Sequence, residues 1–309
     1  MTPWLTSTTG RSAKSPSPEG CATSRAGRSA RGDYGLPKEV NYDLWSGPAP
    51  ILPLTRKQLH YDWHWQWAYG NGDLGNQGIH QMDLCRWALN VDKLSKGVIS
   101  YGGRFGYEDA GETPNTQVVI QDYGPKTLVF EVRGLKTDGY KDAKVGIIVD
   151  GTDGYLVMTS YAEGTVFDKN GKLVKHFTGG GDHFGNFFEA VRSRKTDDLH
   201  ADIVEGHLSS ALCHTGNVSL RLGKQQGLSE LREKLTTLKI ADNALDTLDR
   251  TVKHLADNKV TLDDKTKFQV GDYLEFDPVK ETFPGNNDAT AMLTRDYRAP
   301  YVVPAADKI

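Results

Sequence analysis

The sequence predicts an α+β fold: a large, open, mostly antiparallel sheet with helices packed on one face. Three observations predict it. Short apolar runs are joined three times by tight Asp/Asn/Gly turns, which is how hairpins read. Longer segments of helical period follow these hairpins rather than alternate with them. No β-α-β-α order occurs, as a doubly wound parallel sheet would require.

Taken in order, residues 1–32 are rich in Ser, Thr, Arg, Gly and Pro and have almost no apolar periodicity. They are expected to be a disordered or non-native segment, and they carry no apolar core of a secretory signal. A single ordered domain is expected over residues 33–309. Residues 40–50, VNYDLWSGPAP, read as extended chain anchored by Trp45. Residues 59–69, LHYDWHWQWAY, alternate aromatics at Tyr61, Trp63, Trp65 and Trp67, the period of a strand. Gly70, Gly72, Gly75 and Gly78 then break the chain, and Ile79, Met82, Leu84 and Trp87 mark one face of a helix over 79–89.

The hairpins follow at 116–132, 145–160 and 164–177, turning at 123–126, 151–154 and 169–171. Residues 182–195 read as a helix with Phe184, Phe187, Phe188 and Val191 on one side. A second helix spans 203–223, one or two charged amphipathic helices span 229–258, and a last strand and turn occupy 272–283.

Bulk properties narrow the function. A net charge of −3 argues against a nucleic-acid surface, which needs a basic face. Mean hydropathy is −0.52, and no apolar run reaches the about 18 residues of a membrane span. A small polar ligand or a protein partner fits better; the location stays open, the cytoplasm being only the default. Cys21, Cys85 and Cys213 make neither a disulfide framework nor a zinc site, and the latter two fit helices as small buried hydrophobes.

Gly70-Asn71-Gly72-Asp73-Leu74-Gly75 satisfies the dinucleotide fingerprint G-x-G-x-x-G. Three features argue against that use. The preceding segment alternates, where a first Rossmann strand is a continuous apolar run. Asn76, Gln77 and Gly78 separate the pattern from the helix whose N–H groups should meet the pyrophosphate. No acidic residue ends a second apolar strand at the right distance. No cofactor-binding residue is therefore assigned.

No metal ligand is assigned either. His60 and His64 are i, i+4, which on a strand separates them by about 13 Å. The polar groups that could face a ligand are Asp73, Asn76 and Gln77 around the glycine turn, with Trp67 beside it. Arg104 and Tyr107 stand in a second glycine-rich loop, and His183 opens a helix after three glycines.

WAYGNGDLGNQGIHQMDLCRWAL resembles the substrate-domain signature of the Gfo/Idh/MocA oxidoreductases, in the bacterial branch. YDLWSGPAP, GGRFGYEDAGETPNTQ, HFGNFFEAVRSRK, EGHLSSALCHTGNVSLRLG and TRDYRAPYVVP continue the resemblance in order, over about residues 33–304. It implies a C-terminal domain of the glyceraldehyde-3-phosphate-dehydrogenase-like type, shaping a sugar or polyol site and mediating homo-oligomerisation. Full-length relatives pair it with a Rossmann domain binding NAD or NADP, and with a Glu-Lys-Pro lysine. Neither is found in these 309 residues, so this chain alone is expected to bind no cofactor.

By the same resemblance His80 is the catalytic histidine. The family's carboxylate four residues earlier is Asn76 here, which can orient a hydroxyl but cannot act as a base. Asp83 matches a structural acid. The expected function is the substrate half of an NAD(P)-dependent sugar or polyol oxidoreductase. The alternatives are a cofactor-free carbohydrate-binding or scaffolding module, and a lyase or hydrolase reusing the cleft. Apolar residues on both faces of 118–120 and 128–130 suggest a second copy covering the sheet.

Overall fold

The computed structural model describes residues 9–15, 30–143, 145–263 and 265–308. It shows an α+β architecture built on one long sheet. The elements are strand β1 (Thr9–Ser15), short helices α1 (Tyr42–Ser46), α2 (Leu59–Asp62) and α3 (Gly72–Asn76), and helix α4 (Gly78–Ala88). Strands β2 (Gly97–Gly103), β3 (Thr116–Asp122), β4 (Thr127–Arg133), β5 (Gly146–Asp150), β6 (Gly154–Met158), β7 (Glu163–Asp168) and β8 (Leu173–Thr178) follow. Helices α5 (His183–Ser193) and α6 (Ile203–Leu222) precede strand β9 (Lys224–Gln226) and helices α7 (Leu228–Thr236) and α8 (Ala244–Asp257). Strands β10 (Phe268–Val270) and β11 (Leu274–Glu275) and helix α9 (Asn287–Ala291) close the described chain.

The sheet runs β8-β7-β6-β5-β1-β4-β3-β2-β10-β9, with β11 also paired to β2. All three expected hairpins form. In the first, Thr116 faces Arg133, Asp122 faces Thr127, and the Tyr123 N–H donates to the Lys126 carbonyl at 2.9 Å. The one parallel pairing is β1 on β4, while β1 meets β5 antiparallel. Residues 9–15 thus form a strand inside the segment expected to be disordered. Backbone pairing between two open strand edges needs no apolar side chains, so composition alone did not show it. Residues 1–8 and 16–29, Cys21 included, lie outside the described residues.

Alternation along the inner strands sorts two cores. On one face Val119, Leu128, Phe130, Ile147 and Val149 pack with Met82, Cys85 and Leu89 of the α4 region and with Leu212 and Cys213 of α6. On the other, Ile99, Tyr101, Val118, Ile120 and Val129 pack with Leu231 and Leu235 of α7 and Leu248 and Leu255 of α8. Helices therefore lie on both faces of the inner strands, and every residue of β3 and β4 is buried. The apolar second face that suggested a partner copy is filled by the chain's own α7 and α8. Both glycines where helices touch the sheet are needed for close approach: a Cβ on Gly216 would stand 2.7 Å from Val119, and one on Gly78 2.8 Å from the Phe130 ring.

Residues 59–69 correct the predicted strand. Leu59–Asp62 is helical and Trp63–Trp65 continues as a 3-10 turn. Leu59, Asp62 and Trp65 are buried while Tyr61 and Trp63 are exposed, an i, i+3 spacing that a three-residue turn places on one side. The alternation of aromatics was real but did not track burial. The strand-based spacing of His60 and His64 falls with it. Residues 40–50 are not extended throughout: Tyr42–Ser46 is a short helix, because the Asn41 side chain caps it by accepting from the Leu44 N–H. Trp45 does anchor the segment, stacking on Tyr42 at 5.4 Å and meeting Tyr69 edge-on at 4.9 Å.

The outer strands differ. Strand β8 is exposed along its length, and no residue of α5 is buried. The amphipathic helix expected there forms, yet Phe184, Phe187, Phe188 and Val191 are all exposed. No described helix is long and apolar enough to cross a membrane.

Candidate functional site

Helix α4 sets the site. Its buried stripe is Gly78, Met82, Cys85 and then Leu89, spaced for one helical face. Burial raises the thiol pKa of Cys85, and of Cys213 to about 12, so both are inert packing groups. The same period turns positions 80 and 87 away from the core, and His80 and Trp87 are exposed. Trp87 was expected on the packed face; the stripe runs through Cys85 instead.

His80 is not alone. Its ring centroid lies 5.4 Å from that of Tyr161, in the turn between β6 and β7. The Gln77 side-chain amide donates to the Tyr161 hydroxyl at 2.8 Å and to Gln81 Oε1 at 3.3 Å. Asn76, one turn before His80, is exposed. His80, Gln77, Gln81 and Tyr161 form a polar group around the start of α4.

The other candidates are placed elsewhere or already engaged. Asp73 is buried and accepts from Trp65 Nε1 at 3.2 Å, with His64 Nε2 at 4.0 Å, so it ties the 3-10 turn to α3. Trp67 is half-buried, with the Arg221 guanidinium 5.1 Å from its ring centre. Arg104 donates to Asp109 at 2.8 Å and to the Thr113 carbonyl at 2.7 Å, and lies 5.4 Å from the Tyr107 ring. These donors hold their own loop. His183 is exposed and packs on Phe184 at 4.1 Å. Asp83 accepts from Ser209 at 2.6 Å and Arg86 at 3.4 Å, joining α4 to α6 rather than holding His80.

The glycine turn is filled by protein. A Cβ on Gly70 would stand 2.4 Å from the His64 backbone, one on Gly75 2.1 Å from the Asn71 side chain, and one on Gly72 2.8 Å from Thr113. Gly72 also has φ +74°, where a side chain is strained. These glycines serve internal packing. Among the described residues no group of three or more His, Cys, Asp or Glu is placed to hold a metal ion.

Sequence reasoning missed Tyr161 and what lies beyond it. A cleft of about 640 Å³ runs over the outer strands, lined by Leu156, Met158, Val166 and Phe177, by Ala88 of α4 and by Tyr161. An aromatic in a tight hairpin turn was the only local signal for Tyr161.

The fold is of a definite class, an α+β domain in which a helix with His80 at its head lies along an open sheet. Residues 24–255 match the family described as "Oxidoreductase family, C-terminal alpha/beta domain", and the chain belongs to this Gfo/Idh/MocA family. No curated protein shows significant similarity to it.

Among solved structures it is similar to the WlbA dehydrogenase from Bordetella pertussis in complex with NADH and UDP-GlcNAcA, at 17% identity over 50% of this chain and 44% of that one, with a TM-score of 0.35. It is similar to the UDP-N-acetylglucosamine 3-dehydrogenase GnnA from Acidithiobacillus ferrooxidans at 12% identity, over 45% and 44% of the two chains, with a TM-score of 0.35. An oxidoreductase from Agrobacterium radiobacter in complex with NAD+, L-tartaric acid and magnesium matches at 16% identity, over 46% and 45%, with a TM-score of 0.34. The chain spans about half the length of the solved structures it matches.

Proposed function

We propose that this chain is the substrate half of an NAD(P)-dependent sugar or polyol oxidoreductase, in which His80 exchanges a proton with a carbohydrate hydroxyl. The observation that carries the reading is the exposed His80 imidazole at the head of α4, grouped with Gln77 and Tyr161, in a chain of an oxidoreductase family. An imidazole both accepts and donates a proton near neutral pH. The Gln77 carbonyl oxygen, as acceptor, and the Tyr161 O–H, as donor, would fix the sugar, and Asn76 adds a third polar group.

NAD or NADP would take the hydride, held by groups other than the Gly70–Gly75 turn. What this chain's residues supply is proton handling and orientation of the hydroxyl. The chain by itself is expected to bind NADH no tighter than about millimolar, only about 4 kcal/mol. Micromolar binding in a fluorescence titration would reinstate the glycine turn as a phosphate cradle.

Homo-oligomerisation is part of the proposal in narrower form, since helices cover both faces of β3 and β4 while β6 to β8 are more exposed. The test of His80 is turnover. Joined to a dinucleotide-binding domain of the family, the protein should reduce NAD+ with a sugar or polyol. His80→Ala should lower kcat by about 10²–10⁴-fold, the usual worth of a general acid–base. Unchanged turnover rejects the assignment.

A further inference from the structure

We infer that the apolar cleft beside His80 holds an apolar aglycone, so that the carbohydrate presented to His80 is an aryl or alkyl glycoside rather than a free sugar. This rests on the proposal that a sugar hydroxyl meets His80, and adds to it what the rest of the substrate must be.

Three observations carry the inference. First, the cleft and the polar group are continuous through one residue. Tyr161 lines the cleft, and it also meets the His80 ring at 5.4 Å and accepts from Gln77 at 2.8 Å. A ligand with its polar end at His80 therefore extends past Tyr161 along the sheet. Second, the walls beyond Tyr161 are apolar: Leu156, Met158, Val166 and Phe177. A free hexose carries hydroxyls around its ring, and several would lie against these walls without partners, at a cost. A phenyl ring or short alkyl chain gains there, both by leaving water and by ring contact with Phe177 or Tyr161. Third, the volume of about 640 Å³ is that of a small-molecule site with a mostly apolar lining, and Tyr161 on that lining makes the contact to His80 and Gln77. Asp153, Glu163 and Thr178 also stand on the lining, few enough to leave it predominantly apolar.

The experiment uses the full chain and two probes, methyl β-D-glucopyranoside and phenyl β-D-glucopyranoside. Saturation-transfer NMR titrations report both affinity and the ligand protons in contact. The phenyl glucoside should bind at least about tenfold more tightly, with the strongest transfer to its aromatic protons, within the range that added apolar groups give in a fitted pocket. Phe177→Glu and Val174→Lys alter exposed cleft residues, so folding, checked by circular dichroism, should be retained. Each should abolish the phenyl advantage and leave methyl glucoside binding in place. His80→Ala should weaken both probes.

Equal affinity for the two probes, or a phenyl advantage that survives Phe177→Glu, overturns the inference. Methyl glucoside binding that ignores His80→Ala rejects the underlying proposal instead, and failure of both probes to bind rejects the two together. Light scattering supplies the remaining outcome. A dimer that Phe177→Glu dissociates assigns the cleft to a second copy, and phenyl binding that appears only in Phe187→Glu assigns it to α5; either overturns the inference.

Discussion

The inner and outer halves of the sheet are written in the same hairpin grammar and end in different conditions. Strands β3 and β4 are buried along their whole length between α4 and α6 on one face and α7 and α8 on the other. Strands β6 to β8 are mostly half-buried to exposed, and with the β6–β7 turn that holds Tyr161 they line the cleft. The difference teaches where each kind of demand is met. The inner half holds the fold by burying apolar area, while the outer half leaves apolar area exposed.

Charge sharpens the comparison most. Glu131 on β4 is buried between Arg133 and Arg250, with Arg250 Nε donating at 3.1 Å and Arg133 also bonded to Thr251 at 3.0 Å. Replacing Glu131 by Ala leaves two guanidinium groups without their carboxylate, and should cost about 3–5 kcal/mol in urea unfolding. Glu163→Ala on the outer β7 should change stability by less than about 0.5 kcal/mol, since Glu163 is exposed. Comparable losses at the two positions would break the contrast.

Packing gives the next effect. Gly78→Ala pushes a methyl group to 2.8 Å from the Phe130 ring and should cost about 1–3 kcal/mol through overpacking, read as a lower thermal midpoint. Gly180→Ala, with nothing within 4 Å of the added carbon, should leave the midpoint nearly unchanged.

Acid should reveal Glu131 again. Burial alone would raise its pKa, but Arg133 and Arg250 more than offset burial and hold it below the usual 4.5. Its contribution is therefore fully present above about pH 4.5 and is lost as pH falls through the depressed folded value. Urea titrations between pH 7 and 2 should show this slope in the wild type and a shallower one in Glu131→Gln. Equal slopes would remove the charge pair from the account.

A small stability effect is expected at the candidate site. His80 is exposed, so His80→Ala should shift unfolding by no more than about 0.5 kcal/mol while it weakens carbohydrate binding. A large destabilisation would mark His80 as a packing residue and sink its functional reading.

The sequence by itself determined what is local. Turn residues at 123–126, 151–154 and 169–171 set the three hairpins, because Gly, Asn and Asp fix tight turns wherever they stand. The helical period of 79–89 turned His80 outward, and the resemblance supplied the role proposed for it. Only the tertiary structure decided the rest. Whether 59–69 was strand or helix depended on which side chains the surrounding chain buried, and the short run offered both periods. The same holds for Asp73, whose inward direction is set by Trp65. The second apolar face of β3 and β4 looked like an interface until α7 and α8, more than a hundred residues on, covered it. Tyr161 reaches Gln77 across 84 residues of sequence. Such contacts are made by sheet register and helix packing, which sum over the whole chain and leave no mark in any one stretch.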